Sequence, residues 1–399
     1  MGNRLDKIRL GDYILFYAEG ADKWSYDQSN ELFKHEKNLY SDANYVFITV
    51  QDFAQSDVLF TLPNLNDPDL TLNDFDEYLF YENESTNILN SGRQWYGEEF
   101  SFLNQQSFSF NLNGIVPNAD FKINTAVMAR DTRETLFELS VNSQSLGEIT
   151  VAPVSNGTYD FKGQDSELTF QVNQQILNNS ENLPLDILFN QQGGNGQGFL
   201  NFIQINYPRQ LRLYGNQTLF RSAAMLDHDR LAFQFPAPEG EIEIWDVSNP
   251  MNYSIQSYSR NNNQIEFTAA GRQIKEYVVF QGGNFPNPEV VGEIANQDLI
   301  LLDVPNLVIV SPPAFLSEAQ RLANFRQTND GLGVAVVTTD EIYNDYSSGR
   351  QDVTAIRNFM GLLYQRDSSR LKYLLLFGDG SFDYKDRVPN NSNWVPIYE

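Results

Sequence analysis

Near the end of the chain lie three almost purely apolar runs, "NLVIVS" (306–311), "GVAVVTT" (333–339) and "KYLLLFG" (372–378). A strand with one wet face alternates apolar and polar residues. A strand apolar on both sides has to be covered on both, as in a parallel sheet between helices. The intervening residues carry helical spacing. In "LSEAQRLANFRQTNDG" (316–331), Ser317 is placed to cap a helix and Gln320 to complete a capping box. Ala319, Leu322, Ala323 and Phe325 would form its apolar face, and Gly331 its stop. In "DVTAIRNFMGLLYQRD" (352–367), Asp352 is the cap, and Ile356, Phe359, Met360 and Leu363 recur at helical intervals. The order β-α-β-α-β predicts a parallel sheet with right-handed crossovers. Three such strands are few, and "DYKDRVPNNSNWVPIYE" adds no further element. The expectation is an α/β domain that this chain opens without finishing.

The preceding 300 residues follow another rule. "DYILFY" (12–17), "NYVFITV" (44–50), "SFSFNL" (107–112), "INTAVMAR" (123–130), "SELTFQV" (166–172) and "PLDILFN" (184–190) are short runs of alternating, β-branched or aromatic residues. Asn, Gly, Asp and Ser clusters separate them. "LFELSVNSQSLGEITVA" (136–152) reads as a hairpin about "NSQSLG". "RLYGNQTLFRS", "RLAFQFPA", "EIEIWDVSNP", "QIEFTAA" and "EYVVFQGG" extend the pattern to about residue 283. Regular turns between short strands suggest sandwiches. Pro286 and Pro288 mark a linker or domain edge. The expected organisation is a β-rich segment at 1–100, a β-sandwich at 101–208, a β-rich domain or its continuation at 209–290, and the opening of an α/β domain at 300–399. The fold class is multidomain: a β-sandwich-rich N-terminal region, then the truncated start of an α/β domain.

Composition removes several functions. Fifty-two acidic against 27 basic residues give a net charge of −25, which repels nucleic acid and anionic membranes. There is no cysteine, hence no disulfide, thiolate zinc site or cysteine nucleophile within these residues. No apolar run is long enough to span a membrane as a helix, and "MGNRLDKIRLGDYILFY" lacks the features of a signal peptide. "QQGGNGQG" (191–198) resembles a phosphate loop but precedes a strand, "FLNFIQINY", not a helix, so a flexible connection is expected. A nucleotide-binding α/β protein is disfavoured because no glycine-rich strand-to-helix loop is present.

The motif with the most chemistry is "GDGSFDYKD" (378–386), an acidic glycine loop at the carboxyl end of a strand. Its spacing does not match a calcium loop, although hard oxygen ligands would favour Ca²⁺ if a cation were used. Gly378 and Gly380 are read as permitting a tight exit. Asp379 and Asp383, if convergent, would be relieved by backbone amides or by Lys385 or Arg387. Losing Asp379 would then cost stability. His35 and His228 are read as surface or turn histidines without catalytic partners, and Trp95 and Tyr96 of "SGRQWYGEEF" as β-domain packing. No G-x-S-x-G is present and no triad can be composed.

"EIYNDYSSGRQDVTAIRNF" and "YLLLFGDGSFDYKDR" resemble the start of the peptidase domain in the gingipain-type (C25-type) cysteine peptidases. Within that family the likeness is to the sortase branch serving bacterial type IX secretion. "SGRQWYGEEF", "FLNFIQINYPRQL" and "IWDVSNP" resemble the β-rich region that precedes it. The resemblance implies a caspase-like α/β peptidase domain with a His–Cys pair, on the outer face of the outer membrane. It would remove C-terminal sorting domains from secreted proteins, join those proteins to surface lipopolysaccharide, and work beside other outer-membrane secretion components. In the family that His and Cys follow later strands, so no catalytic, cofactor or metal residue carries over, and this chain alone is expected to be inactive. The alternative is a non-catalytic β-sandwich binding or scaffold protein.

Overall fold

The computed structural model describes residues 8–10, 13–49, 59–191 and 195–398. The expected architecture is present: sheets that pack as sandwiches, then a parallel sheet flanked by helices. Lys23–Asp27 (β1) and Leu32–Glu36 (β2) form an antiparallel hairpin. The first sandwich follows. Its strands are β3 (Asp74–Tyr81), β4 (Gln105–Asn111), β5 (Asp120–Arg130), β6 (Thr135–Val141), β7 (Gln144–Val151), β8 (Gln164–Asn173), β9 (Asn182–Asn190) and β10 (Gln197–Gln210). They make two antiparallel sheets, ordered β7-β6-β9-β4 and β8-β5-β10-β3.

Period-two alternation builds this sandwich. Phe137, Leu139 and Val141 of β6 and Leu183, Leu185, Ile187 and Phe189 of β9 all point inward. Ile123 and Val127 of β5 and Ile203 and Ile205 of β10 close the core from the other sheet. Val141 pairs with Gln144, so the expected hairpin turns on Asn142 and Ser143 alone, at φ 49° and 63°. Both central residues in the left-handed region is the turn whose twist matches the strands it joins.

The second sandwich has β11 (Gln217–Arg221), β12 (Arg230–Pro236), β13 (Glu243–Asp246), β14 (Gln264–Ala270) and β15 (Glu276–Phe280). One sheet runs β11-β15-β13 and continues through Ser254–Gln256 to Thr61–Leu62; the other runs Ser259–Asn261, β14, β12, Leu70–Leu72. Phe220, Phe233, Phe267 and Tyr277 form its centre, with ring centroids 5.0–6.2 Å apart. Residues 281–298 then run without regular structure.

In the α/β unit, β16 (Leu307–Ser311) is central, β17 (Val334–Thr338) and β18 (Tyr373–Leu376) flank it, and all three are parallel. Helix α1 (Leu316–Asp330) seats Ala319 and Ala323 on Leu307 and Ile309. On the opposite face, α2 (Thr339–Tyr346) and α3 (Val353–Arg366) bring Ile342, Ile356, Phe359 and Leu363 onto Val308, Val310 and Val337. Coverage of both faces is what the unbroken apolar β16 demanded.

Several local expectations are corrected. Ser317 is not a cap: the Pro313–Phe315 turn starts the helical path earlier, and Phe315 takes the N-cap position without a side-chain bond. Phe325, two residues beyond the buried Ala323, lies on the outer side of α1 and is exposed. Gly331 does terminate that helix, at φ 66°, and Asp352 does cap α3 through the Thr354 amide. Helix α2 was not foreseen; Thr338 and Glu341 start it with a reciprocal capping box. Residues 44–49 of "NYVFITV" pair with no strand, and Val50 lies outside the described residues, as do 192–194 of the glycine-rich loop. Of "DYILFY", Tyr13–Leu15 pairs as a strand and Phe16 and Tyr17 do not, while Asp12 lies outside the described residues. No described helix is long and apolar enough to cross a membrane.

Candidate functional site

Open α/β sheets place their sites beyond the carboxyl ends of the strands. Here those ends are Pro312–Phe315 after β16, Thr338–Thr339 after β17 and Phe377–Asp379 after β18. An open groove of about 370 Å³ lies there, lined by Phe315, Leu376, Phe377, Gly378, Asp379 and Trp394. The Phe315 and Trp394 rings are tilted at 5.1 Å, and Trp394 remains 46% exposed. Phe315, Phe377 and Trp394 give the groove its aromatic surface, and Asp379 gives it one carboxylate.

The loop after β18 doubles back to complete the groove. Trp394 and Val395 both donate their amides to the Asp379 carbonyl, at 2.9 and 3.0 Å. Val395 is thereby buried beneath the sheet with Val308 and Val310. This return explains the glycines. A Cβ on Gly378 would meet Trp394 Cβ and Val395 Cγ2 at 3.0 Å, and one on Gly380 would meet Ile397 at 2.9 Å. Neither glycine has a positive φ, so each serves close approach.

The two aspartates do different work. Asp383 is fully buried. Its Oδ2 accepts from the Val388 amide at 2.6 Å, and its Oδ1 from the Lys385 amide and Arg387 Nη1 at 3.3 and 3.2 Å. Asn391 Nδ2 donates to its carbonyl at 2.7 Å. Asp379 is exposed on the groove, and among the described residues its carboxylate has no hydrogen bond or ion pair. The amide-and-base arrangement expected for the pair therefore belongs to Asp383. Among the described residues no three carboxylate or imidazole groups are gathered as a metal site requires.

The loop is tied to the β-rich region. Arg387 bridges Asp383 to Glu84, at 2.6 Å from Glu84 Oε2, and its guanidinium sits 4.6 Å over the Trp95 ring. Trp95 also stacks on Phe382 at 5.8 Å. Trp95 thus packs as expected, but across the junction and not only within a β-domain. Lys37 reaches Glu82 and Glu84 at 3.4 and 2.9 Å. Burial pushes the Glu84 carboxyl up, yet Lys37 and Arg387 outweigh it and hold Glu84 below its ordinary range. Glu82 is pushed up by burial, with only partial relief from Lys37. Sequence reasoning missed this cluster because Glu84 and Arg387 are 303 residues apart.

His35 corrects its expectation. It sits in β2 with a buried side chain, stacked on Phe80 at 3.7 Å, with Nε2 3.2 Å from Asp22. His228 lies in the turn before β12, as expected. Neither is near the groove.

Residues 301–399 match the family model for peptidase family C25. The fold of the chain is that of dimeric latent PorU from Porphyromonas gingivalis, with TM-score 0.84 and 23% identity over 97% of this chain. The chain spans 38% of the length of that protein. The CBM36-1 domain of a multidomain xylanase from the hindgut metagenome of Trinervitermes trinervoides aligns over 33% of this chain and 95% of its own, at 10% identity and TM-score 0.23. Infectious bursal disease virus, Gx strain, aligns over 60% of this chain and 46% of its own, at 9% identity and TM-score 0.18. Neither of these two carries an argument. No curated protein matches the chain. The gingipain-type resemblance read from the sequence therefore holds, by the family match over 301–399 and by fold over nearly all of the chain.

Proposed function

We propose that this chain is the β-rich support and the opening half of the α/β unit of a surface-located cysteine peptidase of the C25 type. In this reading the unit processes secreted proteins at their C-terminal sorting domains, on the outer face of the outer membrane, and passes them to surface lipopolysaccharide beside other secretion components. The observation that carries it is the coincidence of the C25 match at 301–399 with an aromatic groove at the carboxyl edge of a parallel sheet. Acyl transfer to a thiolate needs a nucleophile and a base within hydrogen-bond reach. These 399 residues contain no cysteine, and both histidines precede residue 301. The chain's own part is then to bind and orient substrate, with nucleophile and base coming from sequence outside it.

A peptide spanning the junction before a sorting domain, titrated into the chain, tests this. The expected result is saturable binding that shifts Gly378 and Asp379 amide resonances, weakens at least tenfold in Trp394→Ala, and is accompanied by no cleavage. Thiol-inhibitable cleavage by the chain alone would refute the division of labour. The second reading, a non-catalytic binding or scaffold protein, is favoured by the absence of cysteine. It predicts shifts on the sandwiches and an unaffected groove.

A further inference from the structure

After β2 the chain leaves the hairpin and crosses to the α/β unit without regular structure. Tyr40 sets its ring against Tyr384 at 4.9 Å, and its carbonyl accepts from Gln351 Nε2 at 3.2 Å. The same Gln351 amide donates to the Tyr384 carbonyl at 2.7 Å, so one side chain fastens both segments. Asp42 forms an ion pair with Lys385 at 2.5 Å. Further on, Tyr45 and Phe47 lie against Gly349, where a Cβ would meet them at 3.2 and 3.4 Å. Gly349 and Gln351 precede α3, and Tyr384 and Lys385 follow β18. Both sets of contacts therefore fall on loops around the carboxyl edge of the sheet, where the groove lies.

The burial is lopsided. The Lys385 side chain is 4% exposed although it stands on a loop, and Asp42 is 74% exposed. The crossing segment covers the ammonium while its own carboxylate stays wet. Such a contact holds a loop in place without being needed for either core. Breaking it uncovers one cation and a tyrosine ring, not a hydrophobic centre.

We propose that residues 37–49 are a releasable strap: through Asp42–Lys385 and Tyr40–Tyr384 they hold the segment 380–391 beside the groove, in addition to the Arg387–Glu84 tie, and lifting the strap loosens that segment. The strap is a positioning element and takes no part in chemistry. Its seat on the α/β unit passes control of that segment to the β-rich region, because the strap is continuous with the hairpin. That hairpin is itself fixed to β10, where the Phe33 and His35 amides donate to the side chains of Asn206 and Gln204 at 2.7 and 2.9 Å. The inference stands whether or not the groove takes a sorting-domain peptide, since its readout is the loop alone.

The test is native-state hydrogen exchange on the full chain and three variants. Asp42→Asn should accelerate exchange in 380–391 by about tenfold and leave β5 and β10 unchanged, as a local opening does. Lys385→Met, which removes the covered charge and keeps the volume, should abolish the further effect of Asp42→Asn in the double variant, the signature of a direct pair. Raising the salt from about 0.05 to 1 M should speed the same amides in the parent and not in Lys385→Met. Unchanged exchange in 380–391 would overturn the strap. Equal acceleration in β5 and β10 would also overturn it, by making the pair a contributor to global stability. Additive effects of the two substitutions would remove the pairing on which it rests.

Discussion

The Asp383 carboxylate and the Arg387 guanidinium, four residues apart on one loop, meet at 3.2 Å with the carboxylate fully buried and the guanidinium extended to Glu84 of the β-rich region. One short loop thereby carries an internal staple and a tie to a distant segment. Replacing a buried carboxylate by an amide takes the charged acceptor away from its amide and guanidinium donors.

Asp383→Asn is accordingly expected to lower stability by about 2–3 kcal/mol, the range for losing charge-assisted hydrogen bonds in the interior. Asp379→Asn should change it by less than about 0.5 kcal/mol, as for an exposed, unpaired side chain. Denaturant midpoints at constant slope measure both. A larger loss at Asp379 would return the structural role to the residue that the sequence reading favoured.

A pH dependence follows from His35. Burial holds its imidazole below the ordinary 6.5, against a raising contribution from Asp22, with a minor lowering one from Lys37. The folded state therefore favours the neutral ring. Its contribution is complete above the unfolded value and is lost as pH falls below about 6.5 toward the depressed folded value. Glu82, raised by burial, works in the opposite sense, losing stability as pH rises through its folded value. The informative quantity is thus the difference between parent and His35→Gln. That difference should shrink from pH 7 to pH 5; a constant difference would show that His35 does not titrate with folding.

Much of the fold was legible because its strands obey simple periods. β6 and β9 alternate cleanly, and β16 is apolar on both faces. The hairpin β1–β2 and strand β3 were not legible: "KWSYD" alternates but over five residues only, "LFKHE" has just two apolar residues, which are adjacent, and "DFDEYLFY" carries three charges among its first four residues. Those strands are held by contacts a local pattern does not contain, such as Trp24 stacked on Tyr78 at 3.6 Å. The strand-end loop was legible as a place. Which aspartate mattered was not, since the choice depends on where Val388, Arg387 and Glu84 come together in space.

Hydrogen exchange should also divide the molecule along its length. β18 is an edge strand with Tyr373 and Leu374 exposed, and only β16 in its sheet is paired on both sides. Amides of β17 and β18 are expected to exchange faster than those of β5 and β10, which sit inside four-stranded sheets. Equal protection would mean that α1, α2 and α3 stabilise the small sheet more than its exposed edges suggest.

The glycines of the groove loop give the last prediction, and it is an ordering. Gly378 lies under Trp394 Cβ and Val395 Cγ2, both at 3.0 Å from an added Cβ. Neither neighbour can yield easily. One is the root of a side chain whose amide is bonded to Asp379, and the other is packed beneath the sheet. Gly380 faces Ile397 Cγ1, Cγ2 and Cδ1, a half-buried side chain that can change rotamer. Gly378→Ala should therefore cost about 1–3 kcal/mol as an overpacking substitution, and Gly380→Ala clearly less. Gly378→Ala should also displace the Trp394 ring from Phe315, changing tryptophan emission, whereas Gly380→Ala should leave it alone. Equal costs for the two, or a silent Gly378→Ala, would show that the returning segment does not press on the strand end and that the groove has a looser floor than this packing implies.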